Sequence, residues 1–263
     1  MNFKSIPKEY EYLNWPEVKN IAASDRSTII WPFGAVEQHG PHLPLGTDSL
    51  FVDAILNEVM QLMPEEIPLK RIPTQYIGFS PEHLGFSGTL SLSSQILTLM
   101  IKEVGKQLSD IGFKRLILLN AHGGQISLLN TASRELRVIA PKLSVFPCFL
   151  WSGVDGLDNL LTKSEIENGL HASLAETSLM MSIKKERVGD ERPCEGISID
   201  IPKGWSLEGD SPTAWFTKDI SNSGVIGDSR GASSELGNEI KKLLVNHWYN
   251  MLLSLMSSDW LIQ

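Results

Sequence analysis

A chain of 263 residues, 42% hydrophobic and 21% charged, has the composition of a folded globular protein and is long enough to bury a core without help from disulfides or metals. Its 23 basic and 31 acidic residues leave a net charge of −8, which excludes a general nucleic-acid surface because phosphate binding needs a positive footprint. Two cysteines are too few for a disulfide scaffold, no apolar run approaches the ~18 residues of a membrane span, and residues 1–17 lack a signal-peptide core. The expectation is a cytoplasmic protein with reduced thiols and no nucleic-acid or membrane partner.

No repeat, low-complexity tract or linker divides the chain, so residues 1–263 are taken as one domain. The apolar run Thr28–Phe33, stopped by Gly34, predicts a buried strand. A helix follows from about Ser49, with Phe51, Ile55, Val59 and Leu62 on one face. Residues 70–79 are expected to be extended and 88–92 to form a second short strand. Residues 93–111 carry the clearest helical stripe (Ile96, Met100, Val104, Leu108, Ile111), and Gly112 stops it. In the next strand, 114–120, the run Leu116 to Leu119 does not alternate, as expected for the middle of a parallel sheet covered on both faces. Ile126–Ile139 is helical, 143–151 extended and 173–185 helical. The Gly-, Pro- and Ser-rich stretch 188–231 is expected to be irregular, and a helix over 235–256 follows it. This alternation predicts an α/β fold, a single three-layer domain with a largely parallel central sheet and helices on both faces. In such sheets ligands bind beyond the carboxyl ends of the strands.

Three segments at those ends carry chemistry. After the first strand, Glu37 and His39 leave one face of an extended backbone, and the Gly- and Pro-containing turn that follows can return Asp48 to the same spot. A carboxylate and an imidazole there suit a borderline metal such as Zn²⁺ or Mn²⁺. The alternative is a solvated Glu37 and an Asp48 that merely caps the next helix. After the central strand, Asn120-Ala121-His122-Gly123-Gly124 sends a histidine into the crevice, followed by two glycines that permit close approach; a core histidine before a turn is the plainer reading. In the third segment, Ser173 and Glu176 fit a capping box. Yet Glu176 shares a helical face with Leu179, Met180 and Ile183, and a carboxylate aligned with an apolar stripe must be paired or bind a metal. Together the segments supply more ligands than one tetrahedral zinc needs, and they fit a two-metal site.

The stretch Glu37-Gln38-His39-Gly40-Pro41-His42-Leu43-Pro44-Leu45-Gly46-Thr47-Asp48 resembles the main motif of the creatininase family. Asn120-Ala121-His122-Gly123-Gly124 and His171-x4-Glu176-Thr177-Ser178 resemble its second and third motifs, and Gly88-Thr89-Leu90-Ser91 and Gly224-Val225-Ile226-Gly227 are similar to further family segments. The resemblance covers residues 28–232. It implies a single α/β domain assembled as a homohexamer, with two divalent metal ions (Zn, Mn or Fe) per subunit and hydrolysis of a small-molecule amide of the cyclic-amide or formamide type; ring-opening and peptidase relatives are the alternative. Glu37, His39, Asp48 and His122 match metal ligands, with Asp48 bridging, and His171 matches the catalytic histidine, expected to act as general acid. Creatininase proper has a glutamate where this chain has Gly124. That departure puts creatinine in doubt and makes Glu176 the replacement ligand. Weaker substrate-side candidates are His83, Gly123, Gly124 and Trp151. His42 is expected to orient ligands and His247 to pack, while Trp205 and Trp215 are candidates for a lid or a subunit contact. A rival of another class is a metal-braced assembly protein without turnover, against which the glutamates and the spare histidine argue.

Overall fold

A computed structural model describes residues 7–209 and 211–260; positions 1–6 of the polar opening segment lie outside it. Helix α1 (Trp15–Ala22) opens on a capping box in which Asn14 and Glu17 each accept the other's backbone N–H. Then come β1 (Thr28–Phe33), α2 (Thr47–Leu62), β2 (Leu69–Arg71), α3 (Ser94–Ile111), β3 (Arg115–Asn120), α4 (Ile126–Ile139) and β4 (Ser144–Phe149). The four strands lie in the order β2-β1-β3-β4, every neighbouring pair parallel. Short helices α5 (Leu157–Leu160) and α6 (Lys163–Asn168) lead to α7 (Leu174–Lys184), and α9 (Ser234–Met256) follows the 188–231 region.

Side-chain alternation along β1 and β3 divides the core into two. Ile30, Ile117 and Leu119 pack with Phe51, Ile55, Leu179 and Leu244 from α2, α7 and α9. Ile29, Trp31, Leu116 and Leu118 pack on the other face with Leu97, Ile101, Leu129 and Leu136 from α3 and α4. Each such side chain is worth about 1.5–3 kcal/mol when fully buried, so both strands must be apolar on both faces. The expected α/β arrangement of a parallel sheet between two helical layers is what forms. Among the described residues no helix is long and apolar enough to cross a membrane.

Several local expectations need correction. The extended stretch 70–79 pairs with β1 through β2 and a bridge from Gln75 to Phe33; after the Ile72 N–H bonds the Ile30 carbonyl, it is Gln75 and not Thr74 that reaches the Pro32 carbonyl, so the regular register is lost. Residues 88–92 form no strand. Gly88 turns the chain at φ 98°, and Leu90 makes one antiparallel bridge to the loop residue Val36. The 188–231 region is mostly irregular but holds a small antiparallel pair, β5 (Cys194–Glu195) with β6 (Gly227–Asp228), and the short α8 (Thr217–Ile220).

Candidate metal centre

The loop leaving β1 and the first turn of α2 bring Glu37, His39 and Asp48 together in a fully buried group. His39 Nε2 lies 3.4 Å from Asp48 Oδ1 and 3.9 Å from Glu37 Oε1. Its Nδ1 faces the Glu37 carbonyl at 3.2 Å, and a carbonyl can only accept, so Nδ1 carries a hydrogen and Nε2 is the nitrogen turned to the carboxylates, where a proton or a cation can sit. From the end of β3, Asn120 clamps the His122 backbone through Oδ1 (2.9 Å to N) and Nδ2 (2.7 Å to O). Gln125 Nε2 donates both to Asn120 Oδ1 and to the Gly34 carbonyl, tying the β3 loop to the β1 loop. His122 Nε2 donates to the Phe79 carbonyl at 3.1 Å. Its Nδ1 therefore points at Glu37 Oε1 (3.2 Å) and Asp48 Oδ2 (3.4 Å).

Ring nitrogens held this close to carboxylate oxygens require positive charge between them, as protons or as a cation. Both Glu37 oxygens, His39 Nε2 and Asp48 Oδ2 are buried with no hydrogen-bond partner among the described residues, a costly state unless a cation satisfies them. The titration behaviour agrees. Burial lifts the Glu37 carboxyl above its ordinary value. Burial opposes charge on His39 as well, but Asp48 and Glu37 outweigh it and lift the imidazole to about 9. At His122, too, the carboxylates overcome burial and hold the ring well above its usual value. Divalent cations fit this donor set of imidazole nitrogens and carboxylate oxygens.

The third segment reaches the centre through Ala172, a non-glycine residue at φ 53°, which turns the chain between His171 and α7. His171 Nε2 donates to the Gln38 carbonyl at 2.7 Å, leaving Nδ1 bare at 3.9 Å from Glu37 Oε1. Burial, with His39 close by, pushes its pKa well down, so the ring is neutral. The capping box read from Ser173 and Glu176 does not form. Ser173 Oγ donates to Glu165 Oε2 at 2.5 Å and Glu165 Oε1 accepts the Ala175 N–H at 2.8 Å, so Glu165 serves the start of α7. Glu176 Oε2 accepts the Ala172 N–H at 2.6 Å, and a Glu176 oxygen lies within 4.8 Å of ring nitrogens of His39 and His171. Burial raises this carboxyl to about 7.

The weaker candidates divide. His83 is brought into the centre: its Nδ1 takes a hydrogen from Gln38 Nε2 at 2.9 Å, its Nε2 lies 3.4 Å from Glu37 Oε1, and its ring stacks on His171 with centroids 4.1 Å apart. Gly123, Gly124 and Trp151 line the adjoining cavity of about 980 Å³. His42 stands back, its Nε2 bonded to Thr177 Oγ1 at 2.8 Å. His247 packs edge-on to Trp248, Trp205 is exposed, and Trp215 lines the cavity edge-on to His83.

Sequence reasoning passed over Gln38 and Glu82. Gln38 touches His83 and His171, holds the Gly224 carbonyl at 3.0 Å and forces glycine at 224, where a Cβ would come 1.9 Å from its Oε1. The signal was its place between two ligand candidates, on the opposite face of an extended segment. Glu82 lies beside His83 and reaches His122 Nε2 at 3.2 Å; nothing in the pattern of its loop singled it out.

The sequence model described as "Creatininase: Creatinine amidohydrolase" matches residues 11–252. A mycofactocin precursor peptide peptidase of Mycobacterium tuberculosis (strain ATCC 25618 / H37Rv) is 29% identical over 229 residues, covering 85% of this chain and 83% of its own. A creatinine amidohydrolase of Pseudomonas putida is 25% identical, covering 89% of this chain and 91% of its own. A solved structure described as "Creatininase Mn" superposes with a TM-score of 0.73 at 23% identity, over 95% of this chain and 98% of that one, and so shares the fold. Since the family match spans nearly the whole chain, this protein belongs to the creatininase family.

Proposed function

We propose that the chain is a metal-dependent hydrolase that cleaves a C–N amide bond of a small substrate with two divalent cations. The observation that carries this is a buried group in which both Glu37 oxygens, Asp48 Oδ2 and His39 Nε2 have no hydrogen-bond partner among the described residues, with Glu37, Asp48 and His122 lining the cavity. Glu37, Asp48 and His122 Nδ1 would hold one cation, and His39 Nε2, Asp48 and Glu176 the other. Asp48 faces both, with Oδ1 toward His39 and Oδ2 toward His122. Zn²⁺, Mn²⁺ and Fe²⁺ all suit mixed N/O ligands. When bound, such ions polarise a substrate carbonyl and lower the pKa of a water to about 7.

The histidines divide the proton work by tautomer. His171 is neutral and its Nε2 hydrogen is held by Gln38, so Nδ1 begins as a base. It takes the proton that the attacking water gives up and passes it to the leaving nitrogen. The acid role expected from the resemblance becomes the second half of this cycle. His83 accepts at Nδ1 from Gln38, so its Nε2 carries a hydrogen into the centre and can donate it to a substrate oxygen.

Aromatic and aliphatic side chains, among them Phe79, Phe149, Trp151 and Trp215, wall the cavity. No lysine or arginine is among its described lining residues, whereas Glu82, Asp158 and Glu208 are. Neutral or amine-bearing amides are therefore expected to outrun carboxylate-bearing analogues, read as kcat/KM across matched pairs. A peptide substrate is the second reading. The cavity is near the upper end of the roughly 300–1,000 Å³ range for small-ligand sites, which leaves room for a chain end. The deciding experiment assays cyclic amides, formamides and short peptides with protein loaded separately with Zn²⁺, Mn²⁺ and Fe²⁺. Hydrolysis that disappears with chelator and returns with metal supports the proposal. No turnover in any metal form, with chelator dissociating the proposed homohexamer, supports the assembly protein instead.

Metal binding has its own pH dependence. Metal-free His39 holds a proton up to about pH 9, and a cation must displace it. Affinity is expected to rise with pH through the neutral range and level off above about 9, with proton release measurable by calorimetry in buffers of differing ionisation enthalpy. A pH-independent affinity between 6 and 9 would speak against His39 as a ligand.

A further inference from the structure

Gly124 is glycine for want of space. A Cβ there would lie 1.7 Å from Glu82 Oε1 and 2.7 Å from His122 Nε2, although its backbone is outside the left-handed region. The carboxylate that fills this space comes from a distant turn, Pro81–His83. The turn is pinned by the His83 N–H to the Ser80 carbonyl and by Thr217 Oγ1, which donates to His83 Nδ1 at 2.7 Å and lies 3.0 Å from the Glu82 carbonyl. The Glu82 side chain is 12% exposed, and among the described residues its ion-pair partners are two histidines, His122 Nε2 at 3.2 Å and His83 Nε2 at 3.9 Å. No lysine or arginine compensates it. A carboxylate this buried is costly to leave without a donor.

We propose that Glu82 is the positioning carboxylate of His122, and that Gly124 is glycine to admit it. Glu82 Oε1 lies 3.2 Å from Nε2, on the same side of the ring as the Phe79 carbonyl at 3.1 Å and Ser80 Oγ at 3.3 Å. These groups keep Nδ1 aimed at Glu37 and Asp48, and the carboxylate makes the imidazole a stronger donor to a cation. Ligand atoms of Glu37, Glu82 and His122 lie within 4.8 Å of one another, but Glu82 sits at Nε2 while Nδ1 faces Glu37 and Asp48, so in this proposal Glu82 acts through the imidazole. The inference rests on the two-cation reading above and adds to it a residue supplied by another part of the chain.

The test titrates Mn²⁺ into metal-stripped wild type, Glu82→Gln and Glu82→Ala, with bound metal counted by elemental analysis. Glutamine keeps an acceptor of the same shape and loses the charge; alanine loses both. Wild type is expected to bind two ions. Both variants should still reach two at saturation, with one position weakened by up to about tenfold in Glu82→Gln and about 10- to 100-fold in Glu82→Ala, and the other position unchanged. Equal affinities in all three proteins would overturn the proposal, and so would equal weakening at both positions, the mark of a general structural effect. A fall to one ion at saturation would also overturn it, by making Glu82 a ligand. Wild type that binds no metal would overturn the two-cation reading itself, and this inference with it. Melting temperatures of the metal-free proteins check that the variants are folded.

Discussion

Purified Glu176→Gln protein, saturated with metal, is expected to carry about one divalent cation per chain instead of two, with little hydrolysis left. His39 Nε2 and Asp48 Oδ1 lie together at 3.4 Å, and Glu176 is the carboxylate beside them that is not already shared with His122. Its amide replacement would still accept the Ala172 N–H that Glu176 Oε2 holds at 2.6 Å, so the backbone of the turn should keep its shape. A capping role would predict a loss of only about a few tenths of a kcal/mol and full metal occupancy. The structure has already moved that role to Glu165, which accepts from Ser173 and from the Ala175 N–H. Elemental analysis of the purified variant decides the matter. Two ions per chain would remove Glu176 from the ligand set.

The second large effect is expected at His171. His171→Asn should keep both cations and lower kcat by about two to four orders of magnitude, the range for a lost proton-transfer group. Asparagine can still donate to the Gln38 carbonyl that now accepts from Nε2, but it offers no basic nitrogen where Nδ1 stands. Metal content and kcat must be measured together, because a ring nitrogen of His171 lies within 4.8 Å of ligand atoms of His39 and Glu176. Loss of one ion alongside activity would make His171 a ligand and leave proton transfer to another group. His83 is then the nearest candidate, since its ring stacks directly on His171.

The sequence by itself determined the layered fold and most of the proposed centre. A strand such as Leu116 to Leu119, apolar without alternation, can only sit between two helical layers, and that alone set where to look. Glu37, His39 and Asp48 were legible because a short turn-rich loop limits how far apart they can be. His122 was legible because it leaves the end of the buried central strand. Boundaries were less legible in the short strands: β2 ends at Arg71 within the stretch 70–79, and 88–92 makes one bridge at Leu90 instead of a strand.

What only the tertiary structure decided were the contacts between segments remote in sequence. Glu82 meets His122 across forty positions, and Glu165 takes over the start of α7 from the Ser173–Glu176 pair that local spacing favoured. The tautomers of His39, His83, His122 and His171 follow from carbonyl and amide partners that no spacing rule identifies. Periodicity and motif spacing report on forces that act along the chain. Hydrogen-bond partners and steric exclusion at a buried site depend on how loops from different strands pack, and that geometry exists only once the sheet has brought the strand ends together.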